Sequence, residues 1–260
     1  MKAIHGGKAT HETIDAPQIA VWRRGGRLPQ ASVSPADMRA TRDLLRRRMP
    51  LMRKRAELLA HIQKTNSPSN FPDIGKKLAY QANRDGVAER FPEPAVQKRM
   101  EVDLALINHD DCLLGDIELS ILTTAKQHPA HTLYLLRTVP GIGEILSLVL
   151  LDDIHDRGRV PRVQDFVSYG RLVTCPKESA GKRYGTSGTK IGNASLTWAC
   201  SEAAVLFLRN HPAGQKYLTK LEKKHGKGKA FTMLAHKLGR AVYYILKRQT
   251  AFDMRRFLSG

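Results

Sequence analysis

Acidic residues are scarce in this chain relative to basic ones: 24 Asp and Glu stand against 43 Lys and Arg, a formal net charge of +19. Solubility alone does not call for a surplus of that size, so the imbalance points to a polyanionic partner. Cysteine is also sparse. Cys112, Cys175 and Cys200 lie far apart with no CxxC spacing, which excludes a metal knuckle and a disulfide framework and leaves three ordinary thiols. No hydrophobic run approaches the roughly 18 to 20 apolar residues of a membrane span, and the opening stretch MKAIHGGKATHETIDA lacks an apolar signal core. A cytoplasmic protein with no membrane partner is expected. Among the histidines neither HxxxH nor HExxH spacing occurs, which removes the common helical zinc motifs.

What is present begins with size: 260 residues with 42% hydrophobic content suffice for a real core. The basic surplus is concentrated. From Pro176 to Gly260 there are seventeen Lys and Arg against Glu178, Glu202, Glu222 and Asp253, a surplus of thirteen in the last third of the chain. If several of these cations meet phosphates, binding weakens steeply with salt.

Hydrophobic spacing predicts mostly helix. Ile14, Ile19 and Trp22 recur at helical intervals and stop at Gly25-Gly26; LPQASVSP then reads as an extended connection because of Pro29 and Pro35. From Ala36 a long amphipathic stretch begins, with a kink expected at Pro50, and a second runs from about Glu93 to Lys126. The two form either an antiparallel coiled-coil arm or a plain helical pair. Three helices close the chain, at Ala194–Asn210, Ala213–His225 and Lys229–Arg248, the last with Phe231, Leu234, Leu238, Val242 and Ile245 on one core stripe. The HGKGKA stretch between the last two reads as a basic loop that places Lys227 and Lys229 near phosphate.

Three places could carry chemistry. Pro140-Gly141-Ile142-Gly143 opens a Leu- and Val-rich helix: Gly141 and Gly143 either cradle a phosphate on free backbone N–H groups, in helix-hairpin-helix fashion, or make a structural αα-turn. PKESAGKRYGTSGTKIGN, residues 176–193, is almost without apolar side chains and reads as a loop. There Lys177, Lys182, Arg183 and Lys190 surround Ser179, a setting that suits either a phosphate-binding loop or a serine poised for phosphodiester chemistry. Glu12 and Asp15, three apart, share one helical face and are either two oxygen ligands for a divalent metal or first-turn acids favoured by the helix dipole. Asp110-Asp111 and Asp152-Asp153 are adjacent pairs that point apart on a helix and make poor joint ligands.

In one order, four stretches resemble transposases of the insertion-sequence one-ten family, with the related one-sixteen and nine-oh-two groups. They are KATHETIDAPQIAVWRRGGRLP, similar to the end of that family's RuvC-like DEDD nuclease domain; the long helical arm; TVPGIGEILSLVLL; and YGRLVTCPKESAGKRYGTSGTKIGNASLTWACSEAA, similar to the core of its C-terminal transposase domain. The resemblance implies a mainly α chain in three parts. Residues 1–35 would be a remnant of the RuvC-like domain, 36–128 a helical, coiled-coil-like arm, and 129–260 the C-terminal transposase domain with a helix-hairpin-helix-like element. It also implies Ser179 as the nucleophile that becomes joined to a DNA end, and Gly192-Asn193 as the pair that closes the serine loop. Glu12 and Asp15 would be the third and fourth acids of a Mg²⁺ site, Glu12 standing where the family usually has Asp. The implied protein works as a homo-oligomer on DNA, guided by a structured RNA from the element, in the bacterial cytosol or nucleoid. Its reaction is serine-dependent strand cleavage and exchange in DNA transposition and recombination.

Only eleven residues precede Glu12, whereas the first two DEDD acids and the strands of that domain belong upstream. The expectation is therefore either a start placed too late or a truncated gene, and a chain inactive on its own. The alternative function is a non-catalytic DNA- or RNA-binding remnant.

Overall fold

The computed structural model describes residues 12–26, 36–66, 77–125, 128–154, 158, 160–179, 182–188, 192–209 and 211–259. Lys190, LPQASVSP and the Ala180-Gly181 step lie outside them. The chain divides into two compact units, residues 1–35 and residues 36–260. The first contains one helix, α1 (Glu12–Arg24), which ends where Gly25 N donates to Val21 O at 2.9 Å and Gly26 turns to φ +63°, a left-handed value that glycine takes without steric penalty.

In the second unit, α2 (Ala36–Asn66) and α3 (Pro94–Thr124) are both 31 residues long. Side-chain bonds join Arg48 to Glu118, Arg55 to Asp111, His61 to Asp103 and Arg99 to Thr65, so one residue number rises as the other falls and the helices are antiparallel. Helix α2 continues through Pro50, whose ring leaves the Arg46 carbonyl without its usual helical donor. Pro94 at the first turn of α3 is where a missing N–H costs nothing.

The far end of this arm has its own small core. Ile62, Met100 and Ile107 are fully buried, and the connecting segment folds Leu78, Val87 and Phe91 onto them through two short 3₁₀ turns, Gln81–Asn83 and Ala88–Arg90. Arg84 fastens that segment. Its guanidinium donates to Leu78 O at 3.0 Å, Ala79 O at 3.2 Å, Asn108 Oδ1 at 2.5 Å and Asp111 Oδ2 at 2.6 Å.

The larger core belongs to the helical body: α4 (Ala130–Arg137), α5 (Glu144–Ile154), α6 (Val163–Tyr169), α7 (Ala194–Arg209), α8 (Pro212–His225), α9 (Lys227–Arg248) and α10 (Met254–Ser259). Helix α5 is apolar on nearly every side, as a helix at the centre of a body must be, and Leu146, Leu148, Val149 and Leu150 are all buried. The core stripe expected on α9 holds, with Leu234, Leu238, Val242 and Ile245 buried and Phe231 half-buried. Leu45 of α2 and Ile121 and Ala125 at the end of α3 join this core, which anchors the arm at its near end.

Two expectations need correction. The serine segment is not a loop: β1 (Thr174–Ser179) and β2 (Lys182–Gly188) pair antiparallel as a hairpin within an otherwise mainly α chain. Two strands that pair only with each other need no alternating apolar pattern, and Gly, Ser and Lys hid them from a periodicity reading. The basic loop before α9 is also absent, because Gly226 at φ +81° is the one residue between α8 and α9 and Lys227 and Lys229 sit in the first turn of α9. Among the described residues no helix is long and apolar enough to cross a membrane.

Candidate nucleic-acid interface

The turn between α4 and α5 is a helical hairpin whose two glycines do different work. Gly141, at φ +89°, backs onto α7: a Cβ there would lie 2.5 Å from Phe207 N and 2.8 Å from Ala203 O. Val139 and Ile142 are buried on either side of it, and Ile142 N donates to Val139 O at 3.0 Å. Gly143 is exposed, and a Cβ there would meet nothing within 4 Å. The open side of the turn is therefore Gly143 and the start of α5, where Glu144 adds a negative charge that a phosphate would have to offset. Thr138 holds the turn from behind, donating to Leu135 O at 2.6 Å and accepting from Phe252 N at 2.9 Å.

On the β-hairpin, register pairs Ser179 with Lys182, Glu178 with Arg183 and Lys177 with Gly185. The step from Arg183 to Gly185 opposite adjacent Glu178 and Lys177 makes Tyr184 the extra residue of a β-bulge, and Gly185 has φ +146°. Ser179 thus ends β1 beside the turn, with two cationic residue types, Lys182 and Arg183, opening the paired strand. The side chains of Ser179, Lys177, Lys182 and Arg183 lie outside the described residues, as do those of Glu12 and Asp15, which share the first turn of α1.

Gly192 and Asn193 anchor the exit of the hairpin. A Cβ on Gly192, at φ +117°, would fall 2.5 Å from Tyr169 O, and Asn193 N donates to that same carbonyl at 2.7 Å. Asn193 Oδ1 accepts from Ser195 N at 2.8 Å and Leu196 N at 3.1 Å, capping α7. Thr197 Oγ1 adds a bond of 2.8 Å to Gly170 O. The start of α7 is consequently tied to the end of α6, the two helices that flank the hairpin in the chain.

Helix α8 supplies the exposed charge. Lys216, Lys220 and Lys223 recur at i, i+4 and i+7 on one face, with Lys224 beside them and Lys227 and Lys229 just beyond. Among the described residues no carboxylate forms an ion pair with any of these six. The opposite face of α8 packs Tyr217 and Leu218 half-buried onto the body.

Other titratable groups are structural. Asp152 and Asp153 are both buried and, being adjacent, take separate partners: His128 Nε2 lies 3.0 Å from Asp152 and Arg42 Nε 3.3 Å from Asp153. Burial pushes the Cys200 thiol up to about 12, so it is inert at neutral pH. Among the described residues no group of three or more His, Cys, Asp or Glu gathers to hold a metal. Sequence reasoning missed a further basic set, Lys237, Arg240 and Arg248 with Tyr244 at helical spacing on α9, because the apolar stripe on the same helix drew the reading.

Residues 133–219 match the model of the Transposase IS116/IS110/IS902 family. The matched segment runs from α4 through the helical hairpin, the β-hairpin and α7 into the first half of α8, and over it the chain is similar to the transposases of that family. No curated protein matches the chain.

Proposed function

We propose that this protein acts in DNA transposition by binding nucleic-acid backbones on its helical body and presenting Ser179 to a scissile phosphodiester. The family match supports a general transposase role, and the observation that carries the finer reading is its span. The matched residues enclose the β-hairpin bearing Ser179 together with the exposed Gly143 turn and the first turns of α8, with Lys216 but not Lys220, Lys223 or Lys224. A serine hydroxyl becomes useful at phosphorus when cations stabilise the extra negative charge of the pentavalent transition state. In the step itself an Oγ–P bond forms as the P–O bond to the leaving strand breaks; the hydroxyl gives up its proton and the leaving oxygen gains one. One phosphodiester replaces another, so the strand can later be passed to a different hydroxyl in the reverse sense.

Glu12 and Asp15 bear on whether Mg²⁺ takes part. The donor chemistry suits a hard cation, since Mg²⁺ is commonly held by one or two carboxylates with waters and phosphate oxygens completing its octahedron. When bound, such an ion would neutralise charge on the reacting phosphate. Self-association and a structured guide RNA belong to the same proposal, the first on the strength of the long arm and the second on the positive body.

The test is a covalent adduct. A protein–DNA species stable in detergent, formed by the chain with labelled DNA carrying element ends and Mg²⁺ and abolished by Ser179→Ala while DNA binding stays within about threefold, would identify the serine as the nucleophile and overturn the inactivity expected from the sequence. Binding without any adduct would favour the second reading, a non-catalytic DNA- or RNA-binding protein, which the unpaired lysines of α8 support independently. Equal loss of binding and adduct in Ser179→Ala would reduce the serine to a contact residue.

A further inference from the structure

We propose that a groove along α9, closed at one end by the turn into α10, is a binding site for single-stranded nucleic acid, with a backbone phosphate on Arg240 and Arg256 and an unpaired base against Tyr244 and Arg248. The groove is a cavity of about 590 Å³, inside the span of roughly 300–1,000 Å³ typical of sites for small ligands, the size class of one nucleotide.

Its charge is one-sided. Lys237, Arg240, Arg248 and Arg256 line it, and Asp253 is the single acid among the lining residues. That carboxylate is already engaged: Oδ1 accepts from Arg256 N at 3.1 Å. Arg240, Arg248 and Arg256 are exposed, and among the described residues no carboxylate pairs with them. Three guanidiniums gathered in one concave site repel one another unless an anion lies among them, and guanidinium forks match phosphate oxygens.

The aromatic component separates a single strand from a generic anion. Arg240, Tyr244 and Arg248 follow at i, i+4 and i+8 and share one face of α9. The Arg248 guanidinium lies over the Tyr244 ring at 4.7 Å from its centroid, a planar platform of the kind on which an unpaired base stacks. Deeper in, Lys237 is fixed, its Nζ 4.4 Å from the Tyr217 ring centroid and 3.1 Å from Tyr217 Oη. A duplex keeps its bases stacked on each other and has no free face to offer; a splayed single strand has both the phosphate and the face. This site stands on its own geometry: absence of a Ser179 adduct would not touch it, and its loss would leave the α8 interface and the serine reading intact.

The experiment uses the full chain and three fluorescein-labelled probes, a 12-residue oligothymidylate, a 12-residue oligouridylate and a 12-base-pair DNA duplex, read by anisotropy at fixed salt. The triple variant Arg240→Gln, Arg248→Gln, Arg256→Gln is expected to bind at least one single-stranded probe tenfold more weakly or worse and the duplex within threefold of the parent. Loss on both single strands points to phosphate and base alone, and loss confined to oligouridylate points to the ribose hydroxyl as well. Tyr244→Leu tests the platform without changing charge and is expected to weaken the same probes about fivefold or more, given roughly 1–3 kcal/mol per stacked base, at an unchanged melting midpoint. An equal triple change on the arm, Arg39→Gln, Arg47→Gln, Arg53→Gln, is the control for net charge. The proposal is overturned if the groove variants leave single-strand affinity intact, if duplex and single strand weaken equally, if the arm control weakens single strands as much, or if a poly-glutamate peptide displaces the oligonucleotides at equal charge.

Discussion

Arm and body use arginine and lysine in opposite ways. In the arm, Arg48, Arg55 and Arg84 turn inward to Glu118 and Asp111, so their charge ties α2, the connecting segment and α3 together. In the body, Leu, Ile, Val and Phe hold the helices together, and Lys216, Lys220 and Lys223, with Arg240, Arg248 and Arg256, stand outside with no acid partner among the described residues. The lesson concerns net charge: +19 is a total over cations with different purposes, and pairing with an acid marks those that hold the arm together.

The largest effect that can break this contrast lies in the arm. Arg84 is 3% exposed as a side chain and meets four acceptors, so Arg84→Met takes the donor from Asn108 and two carbonyls and leaves Asp111 with Arg55 alone. A loss of about 3 kcal/mol is expected from leaving buried polar groups unpartnered, read as a lowered urea midpoint, with the duplex affinity of the folded protein unchanged. In the body the corresponding weak point is steric. Gly141→Ala drives a methyl against the α7 backbone at a positive φ, which should cost about 2 kcal/mol and lower the melting midpoint; an unchanged midpoint would mean that α7 does not press on the hairpin.

Asn193→Ala sharpens the comparison further, since it removes the α7 cap without touching charge. About 1 kcal/mol is expected, measured by thermal melting, whereas Asn193→Asp should retain most of the cap.

Acid titration separates arm from body by sign and window. Burial pushes Asp111 up, but hydrogen bonds and charge from Arg55 and Arg84 outweigh it and hold the carboxyl below its ordinary 3.8. The stability from that pair is therefore present above 3.8 and lost as pH falls through the lower folded value. In the body, burial and then the Arg240 charge hold His236 below 6.5, so the neutral ring is favoured in the folded state and stability declines as pH falls below 6.5. His236→Gln should flatten that second slope and Asp111→Asn the first, each in denaturation midpoints taken across pH. An oligonucleotide held on Arg240 would offset its charge and move the His236 titration upward, visible in its imidazole proton resonances.

Much of the fold was legible because long amphipathic helices advertise themselves. The 3.6-residue spacing of Leu234, Leu238, Val242 and Ile245 fixed α9, and Gly25-Gly26 ended α1. The β-hairpin was illegible for the converse reason: its register comes from pairing between Thr174–Ser179 and Lys182–Gly188, a relation that single-strand periodicity does not encode. Gly226 escaped notice because a lysine-rich stretch with two glycines looks like a loop, whereas one residue of positive φ suffices to break the helix. Within the candidate site, residue chemistry singled out the Gly141 turn but not the packing job of Gly141, which follows from the position of Phe207, sixty-six residues away in the chain. The arginines of α9 could have been found by reading each helix for a second, polar stripe opposite the apolar one.

The central claim is that the body's unpaired cations, and not the net charge, form the nucleic-acid surface. Its most direct test is the salt dependence of duplex DNA binding for the parent chain, for Lys216→Gln, Lys220→Gln, Lys223→Gln on α8, and for Arg39→Gln, Arg47→Gln, Arg53→Gln on the arm. With about 0.9 in log–log slope per phosphate contact, the α8 variant should lose roughly 2 to 3 in slope and the arm variant almost none. Equal losses from the two would contradict the account.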